Sequence, residues 1–138
     1  MRAVLDPNVL VSAVLSRTGT PAVVLRSWIE GAYELIVSPA LLEELERVLA
    51  YPKIAKKVSP HEARELLDVL RLHAVTLDDP DVAPPIQSRD PADDYLTSLA
   101  ASAQAVLVSG DAGLLGLADR MPVYRPGGLL ELPEVRLQ

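Results

Sequence analysis

Carboxylates stand at four places where the chain passes from one element to another. Asp6 closes the apolar run R-A-V-L, and Asp111 follows A-V-L-V by way of Ser109-Gly110. Asp90, Asp93 and Asp94 fall in R-D-P-A-D-D-Y, and Glu43, Glu44 and Glu46 in S-P-A-L-L-E-E-L-E-R-V-L. Acids gathered in one pocket repel each other unless cations hold them, and hard oxygen donors suit Mg²⁺ or Mn²⁺. A plainer role competes with that chemistry. Asp is a preferred helix cap, so Asp6 could cap a helix near Asn8, Asp90 one at Pro91 and Asp111 one at Ala112.

Helical geometry separates some of these acids. In the segment after Pro91 the apolar face is Leu96, Leu99, Ala100 and Ala103. At about 100° per residue, Asp93 lies at the edge of that face and Asp94 points away from it. An acid held at a core boundary is costly without a partner. Asp93 is therefore the candidate site residue, and Asp94 is expected in solvent. In the glutamate-bearing segment the apolar face is Leu41, Leu45, Val48 and Leu49. Glu43 faces away, while Glu44 and Glu46 flank the face on opposite sides. Periodicity does not choose between those two.

The elements that must position these groups alternate. Strands are expected at 2–6, 34–37, 74–77 and 105–108, with a last short one at Val123-Tyr124. Helices are expected at 8–15 and at 21–30, the latter with Thr20 as N-cap and Pro21 in first position. Ser38-Pro39 starts a helix to about Tyr51, limited by Pro52, and Ser59-Pro60 starts one over 60–72. Residues 78–89, rich in Pro and Asp, read as a loop. Asp90-Pro91 opens a helix to about Ala103, and a short one follows Asp111. This order predicts an α/β fold, one domain over 1–138, with a mostly parallel central sheet and helices on both faces. Sites in such sheets form outside the carboxyl ends of the strands, where Asp6 and Asp111 would share a crevice.

Composition narrows the function. The 138 residues are 49% hydrophobic, yet no apolar run approaches the roughly 18 residues of a membrane helix. The N-terminus has no basic region, and Asp6 interrupts its first apolar run, so no signal peptide is expected and a cytoplasmic location is. Cysteine is absent, which excludes disulfides and thiolate metal sites. With only His61 and His73, both read as surface or partly buried, structural zinc is not expected. The formal charge of −6 argues against a non-specific nucleic-acid coat. It is compatible with an enzyme whose acids hold cations, because bound metal reverses the local sign. Arg47, Lys53, Lys56 and Lys57 cluster after the glutamates, either as a contact for RNA backbone or as a solvated patch. A phosphatase would want a second Asp two residues after the first, where Asn8 stands. A receiver domain would want a late Lys, and none follows Lys57.

Four pieces in sequence, V-L-D-P-N-V-L-V-S-A, S-P-A-L-L-E-E-L-E-R-V-L, R-D-P-A-D-D-Y-L-T-S-L-A and A-V-L-V-S-G-D-A-G-L-L, resemble the PIN-domain family. The nearest branch is the one grouped with toxins of bacterial toxin–antitoxin pairs (VapC-like). The resemblance implies a parallel sheet between helices and an acidic pocket that binds Mg²⁺ or Mn²⁺ and cleaves RNA. Carried over by position, the catalytic and metal-binding acids are Asp6, Glu44, Asp93 and Asp111, with Asn8 and Ser109 in support. Pro7 departs from the pattern, which often has Thr there. An antitoxin protein and a homodimer are the implied partners. The helix around Trp28 offers a dimer surface, unless Trp28 fills the core. The alternative function is a non-catalytic PIN-like module that binds protein or RNA.

Overall fold

The computed structural model describes residues 1–81, 84 and 86–136. Five strands form the sheet: β1 (Arg2–Leu5), β2 (Glu34–Val37), β3 (Val75–Thr76), β4 (Val106–Val108) and β5 (Val123–Tyr124). Their order is β3-β2-β1-β4-β5, and every pairing is parallel. The strands are short runs of Val, Leu, Ile and Ala because both of their faces are covered. Ala3, Val4, Ile36, Val37, Leu107 and Val108 are fully buried.

The chain winds outward from β1 through β2 to β3, then returns to lay β4 on the other side of β1. Right-handed crossovers in opposite directions put their helices on opposite faces. On the first path lie α1 (Pro7–Leu15), α2 (Thr20–Ile29), α3 (Pro39–Leu49), α4 (Pro52–Ala55) and α5 (Pro60–His73). The return path carries α6 (Asp94–Ala103), which packs on β1 and β4. After β4 come α7 (Ala112–Leu115), α8 (Pro126–Glu131) and α9 (Pro133–Arg136). The reversal of direction falls between β1 and β4, so the crevice at their carboxyl ends is the switch point of the sheet.

Most helix starts follow the expected chemistry. Ser38 accepts the Leu41 N–H at 3.3 Å, and Ser59 and Glu62 complete a reciprocal capping box. Some boundaries differ. Thr20 is the first residue of α2, and extended Gly19 is the N-cap without a side-chain bond, because Pro21 is tolerated anywhere in a first turn whose N–H groups are free. The helix expected from Asp90-Pro91 is broken. A single 3-10 turn, Pro91–Asp93, precedes α6, with Asp90 accepting the Ala92 N–H at 3.0 Å. The sequence showed no sign of α4, α8 or α9, since four to six residues are too few for a helical period. The loop expected at 78–89 has neither helix nor strand where it is described, and residues 82, 83 and 85 lie outside the described residues.

Trp28 fills the core at 7% exposure, leaving its neighbour Ile29 outside at 64%. The indole therefore offers no dimer surface. Among the described residues no single helix is long and apolar enough to cross a membrane.

Candidate functional site

Asp6 is the centre of the polar crevice. It follows β1 directly, is 5% exposed, and donates its N–H to the Val108 carbonyl at 2.9 Å, extending the β1–β4 ladder by one residue. Its Oδ1 accepts the Asn8 N–H at 3.0 Å, which makes it the cap of α1. Its Oδ2 accepts the hydroxyl of fully buried Ser109 at 2.8 Å. Ser109 Oγ in turn accepts the Asp111 N–H at 3.0 Å. One hydroxyl thus ties the two strand-end acids together. Asp111 also caps its own helix, with Oδ2 accepting the Leu114 N–H at 3.0 Å. The capping and site readings of Asp6 and Asp111 describe the same geometry: a cap uses one carboxylate oxygen and leaves the charge at the strand end.

Glu44 and Asp93 approach from other elements. Both line a cavity of about 210 Å³ with Asp6, Asn8, Arg47 and Tyr95. Asp111 borders the adjoining cavity of about 340 Å³, which shares Asp6 and Asn8. The structure brings Glu44 to the site and turns Glu46 outward, where it pairs with Arg71 at 3.6 Å. Asn8 is exposed at the boundary between the two cavities. A larger apolar hollow of about 390 Å³ between α3 and α5 is lined by Glu46 but by none of Asp6, Glu44, Asp93 and Asp111.

The charges feel each other. Burial pushes the Asp6 carboxyl above its ordinary value. The Asn8 and Ser109 hydrogen bonds oppose that shift, and Asp111 and Glu44 add to it. Asp93 is pushed up to about 6, first by burial and then by Asp6, Asp111, Asp90 and Glu44. Burial foremost, then Asp6, Glu44, Asp93 and Asp79, raises the Tyr95 hydroxyl. Acids from four separate segments therefore form one field of negative charge.

Asp94 does not point into solvent. It is half-buried, and its Oδ1 takes the Ser88 N–H at 2.8 Å and the Ser88 hydroxyl at 2.7 Å. Asp94 lies within α6, and it is Ser88, from the segment before the helix, that covers its carboxylate instead of solvent. Two contacts escaped the sequence reading, which took Arg47 only as an RNA contact or a solvated residue and left Asp79 in a loop. Arg47 pairs with Glu44 in a fork, a contact that the three-residue spacing allows but does not demand. Asp79 reaches back from the loop after β3 to accept the Ala40 N–H at 2.9 Å, fixing the start of α3.

The donor set is all oxygen, anionic and convergent, which fits a hard divalent cation in kind. Among the described residues no three Asp, Glu, His or Cys side chains are arranged to hold an ion as they stand. Both oxygens of Asp6 and both of Glu44 accept hydrogen bonds within the chain.

The raised Asp93 value has a consequence for stability. The unfolded chain releases this proton near 3.8, and the folded chain keeps it up to about 6. Between those values the folded state binds more protons, so the contribution of Asp93 to stability falls as pH rises. Asp93→Asn should raise the Tm of the metal-free protein at pH 7.5 and leave it near wild type at pH 4. Melting curves in EDTA check this; an equal difference at both pH values would contradict it.

A profile of the PIN domain matches residues 2–113, and the chain belongs to the PIN-domain family. Among solved structures, a chain of VapBC2 from Rickettsia felis bound to a DNA fragment from their promoter aligns with a TM-score of 0.58. The two are 15% identical, over 91% of this chain and 98% of that one, a likeness of fold. No curated protein matches significantly.

Proposed function

We propose that this PIN-domain chain is a metal-dependent endoribonuclease, the toxin of a toxin–antitoxin pair, acting in the cytoplasm as a homodimer. The observation that carries the reading is the convergence of acids from three other segments around buried Asp6, in cavities that adjoin there, with the proton affinity of Asp6 and Asp93 raised by their acidic neighbours. Family membership and the fold shared with a chain of VapBC2 support the toxin assignment and an antitoxin partner.

Asp6, Glu44, Asp93 and Asp111 would hold Mg²⁺ or Mn²⁺. A cation so held supplies water acidified toward neutral pH and offsets charge on the scissile phosphate. The chain's own residues set the geometry. Ser109 orients Asp6 and the Asp111 backbone through one hydroxyl. The Asn8 N–H fixes the other Asp6 oxygen, so that Asn8 would support the acids from the mouth of the two cavities. Tyr95 and Pro7 line the cavity beside the acids. In-line attack on the phosphodiester would leave 5′-phosphate and 3′-hydroxyl ends.

RNA cleavage by the wild-type chain is expected with Mn²⁺ or Mg²⁺ and should stop in EDTA. Cleavage that survives EDTA would overturn the mechanism. Metal binding without cleavage across a transcript pool would favour the non-catalytic module.

A further inference from the structure

Arg47 is the one basic side chain lining the cavity of Asp6, Glu44 and Asp93 among the described residues. Its fork closes on Glu44: Nε lies 3.0 Å from Oε2, and Nη2 lies 2.5 Å from Oε1 and 2.7 Å from Oε2. Its remaining nitrogen, Nη1, donates to the Tyr51 hydroxyl. The guanidinium carbon stands 5.4 Å from the Tyr51 ring centroid. One cation thus engages both oxygens of Glu44 and is itself braced from the far side. All three residues belong to α3 or the two residues beyond it, so the arrangement needs no partner chain. An ion that takes Glu44 as a ligand competes with this fork for the same two oxygens.

We propose that Arg47 is a built-in competitor for the cation site, occupying Glu44 when no ion is bound and setting the ion concentration at which the site fills. The inference rests on the reading that these acids hold Mg²⁺ or Mn²⁺. Arg47 acts through Glu44 and is a positioning residue. Its side chain is 59% exposed, so water and salt weaken the pair and it yields to a doubly charged ion rather than blocking it. The expected effect is correspondingly modest. Removing the fork should tighten cation binding by about two- to fivefold.

The test is calorimetric titration of Mn²⁺ into the full chain and into folded Arg47→Gln, Arg47→Lys and Asp6→Asn variants. Lysine keeps the charge but cannot span both oxygens of a carboxylate. Both Arg47 variants should bind Mn²⁺ more tightly than wild type, Gln more than Lys, and Asp6→Asn much more weakly. If Asp6→Asn weakens binding while Arg47→Gln matches wild type, the competitor role is wrong and the acidic site stands. If only Arg47→Gln gains, general charge and not the fork governs binding, and the proposal is overturned. If wild type and all variants bind no Mn²⁺, or Asp6→Asn binds as wild type does, the acidic site fails and the competitor role falls with it.

Discussion

Asp6→Asn is expected to lower metal-dependent RNA cleavage by more than about a hundredfold, because loss of even an outer partner of a metal ligand costs about ten- to a hundredfold. Asparagine keeps the shape of the side chain, and its carbonyl oxygen can still accept the Asn8 N–H that caps α1. What disappears is a buried negative charge. The raised proton affinity of Asp6 shows that the folded chain holds that charge at a cost, with burial the largest part. The metal-free variant should therefore melt at or above the wild-type temperature at neutral pH. Loss of cleavage with Tm retained separates a functional role from misfolding. Cleavage at the wild-type rate would remove Asp6 from the mechanism.

Ser109→Ala should produce the next largest change. The hydroxyl is fully buried, donates to Asp6 and accepts from the Asp111 N–H. Its removal leaves a buried carboxylate oxygen and a backbone donor without partners, a loss of about 1–3 kcal/mol in stability. Cation affinity should fall by about ten- to a hundredfold, as for other residues that orient ligands. A pH profile distinguishes this from simple destabilisation. The Ser109 bond holds the Asp6 proton affinity down. Without it Asp6 keeps its proton to higher pH, so the acid limb of Mn²⁺ binding should move upward. A variant that is less stable but has an unmoved acid limb would show that Ser109 serves packing alone.

Much of this site was legible because strand ends in a parallel sheet are predictable places. Asp6 and Asp111 follow short apolar runs, and the strands that carry them are neighbours, with Leu5 paired to Val108. Asp93 could be chosen over Asp94 from the apolar face of α6, although the reason given for Asp94 was wrong. The face of a helix does not show that the preceding segment folds Ser88 onto Asp94. Glu44 and Glu46 flank their helix symmetrically in sequence. Their separation needed the family resemblance, and the fold now sets one beside Asp93 and the other beside Arg71. The role of Arg47 was out of reach. Spacing allows a pair with Glu44, but the braced fork depends on where Tyr51 goes after α3 ends. Trp28 shows the same limit from the other direction. An apolar helix can face a partner or its own core, and only the packing of α2 on α1 and α8 decides.

The central claim is that acids from four segments share a cation beside Asp6. Crystals grown with Mn²⁺ and measured by anomalous scattering test it most directly. The account predicts a peak at about 2.1–2.2 Å from a carboxylate oxygen of Asp6 and from at least one of Glu44, Asp93 and Asp111, with the Glu44–Arg47 fork opened where Glu44 is a ligand. A peak elsewhere, or none beside Asp6 at saturating Mn²⁺, would contradict it.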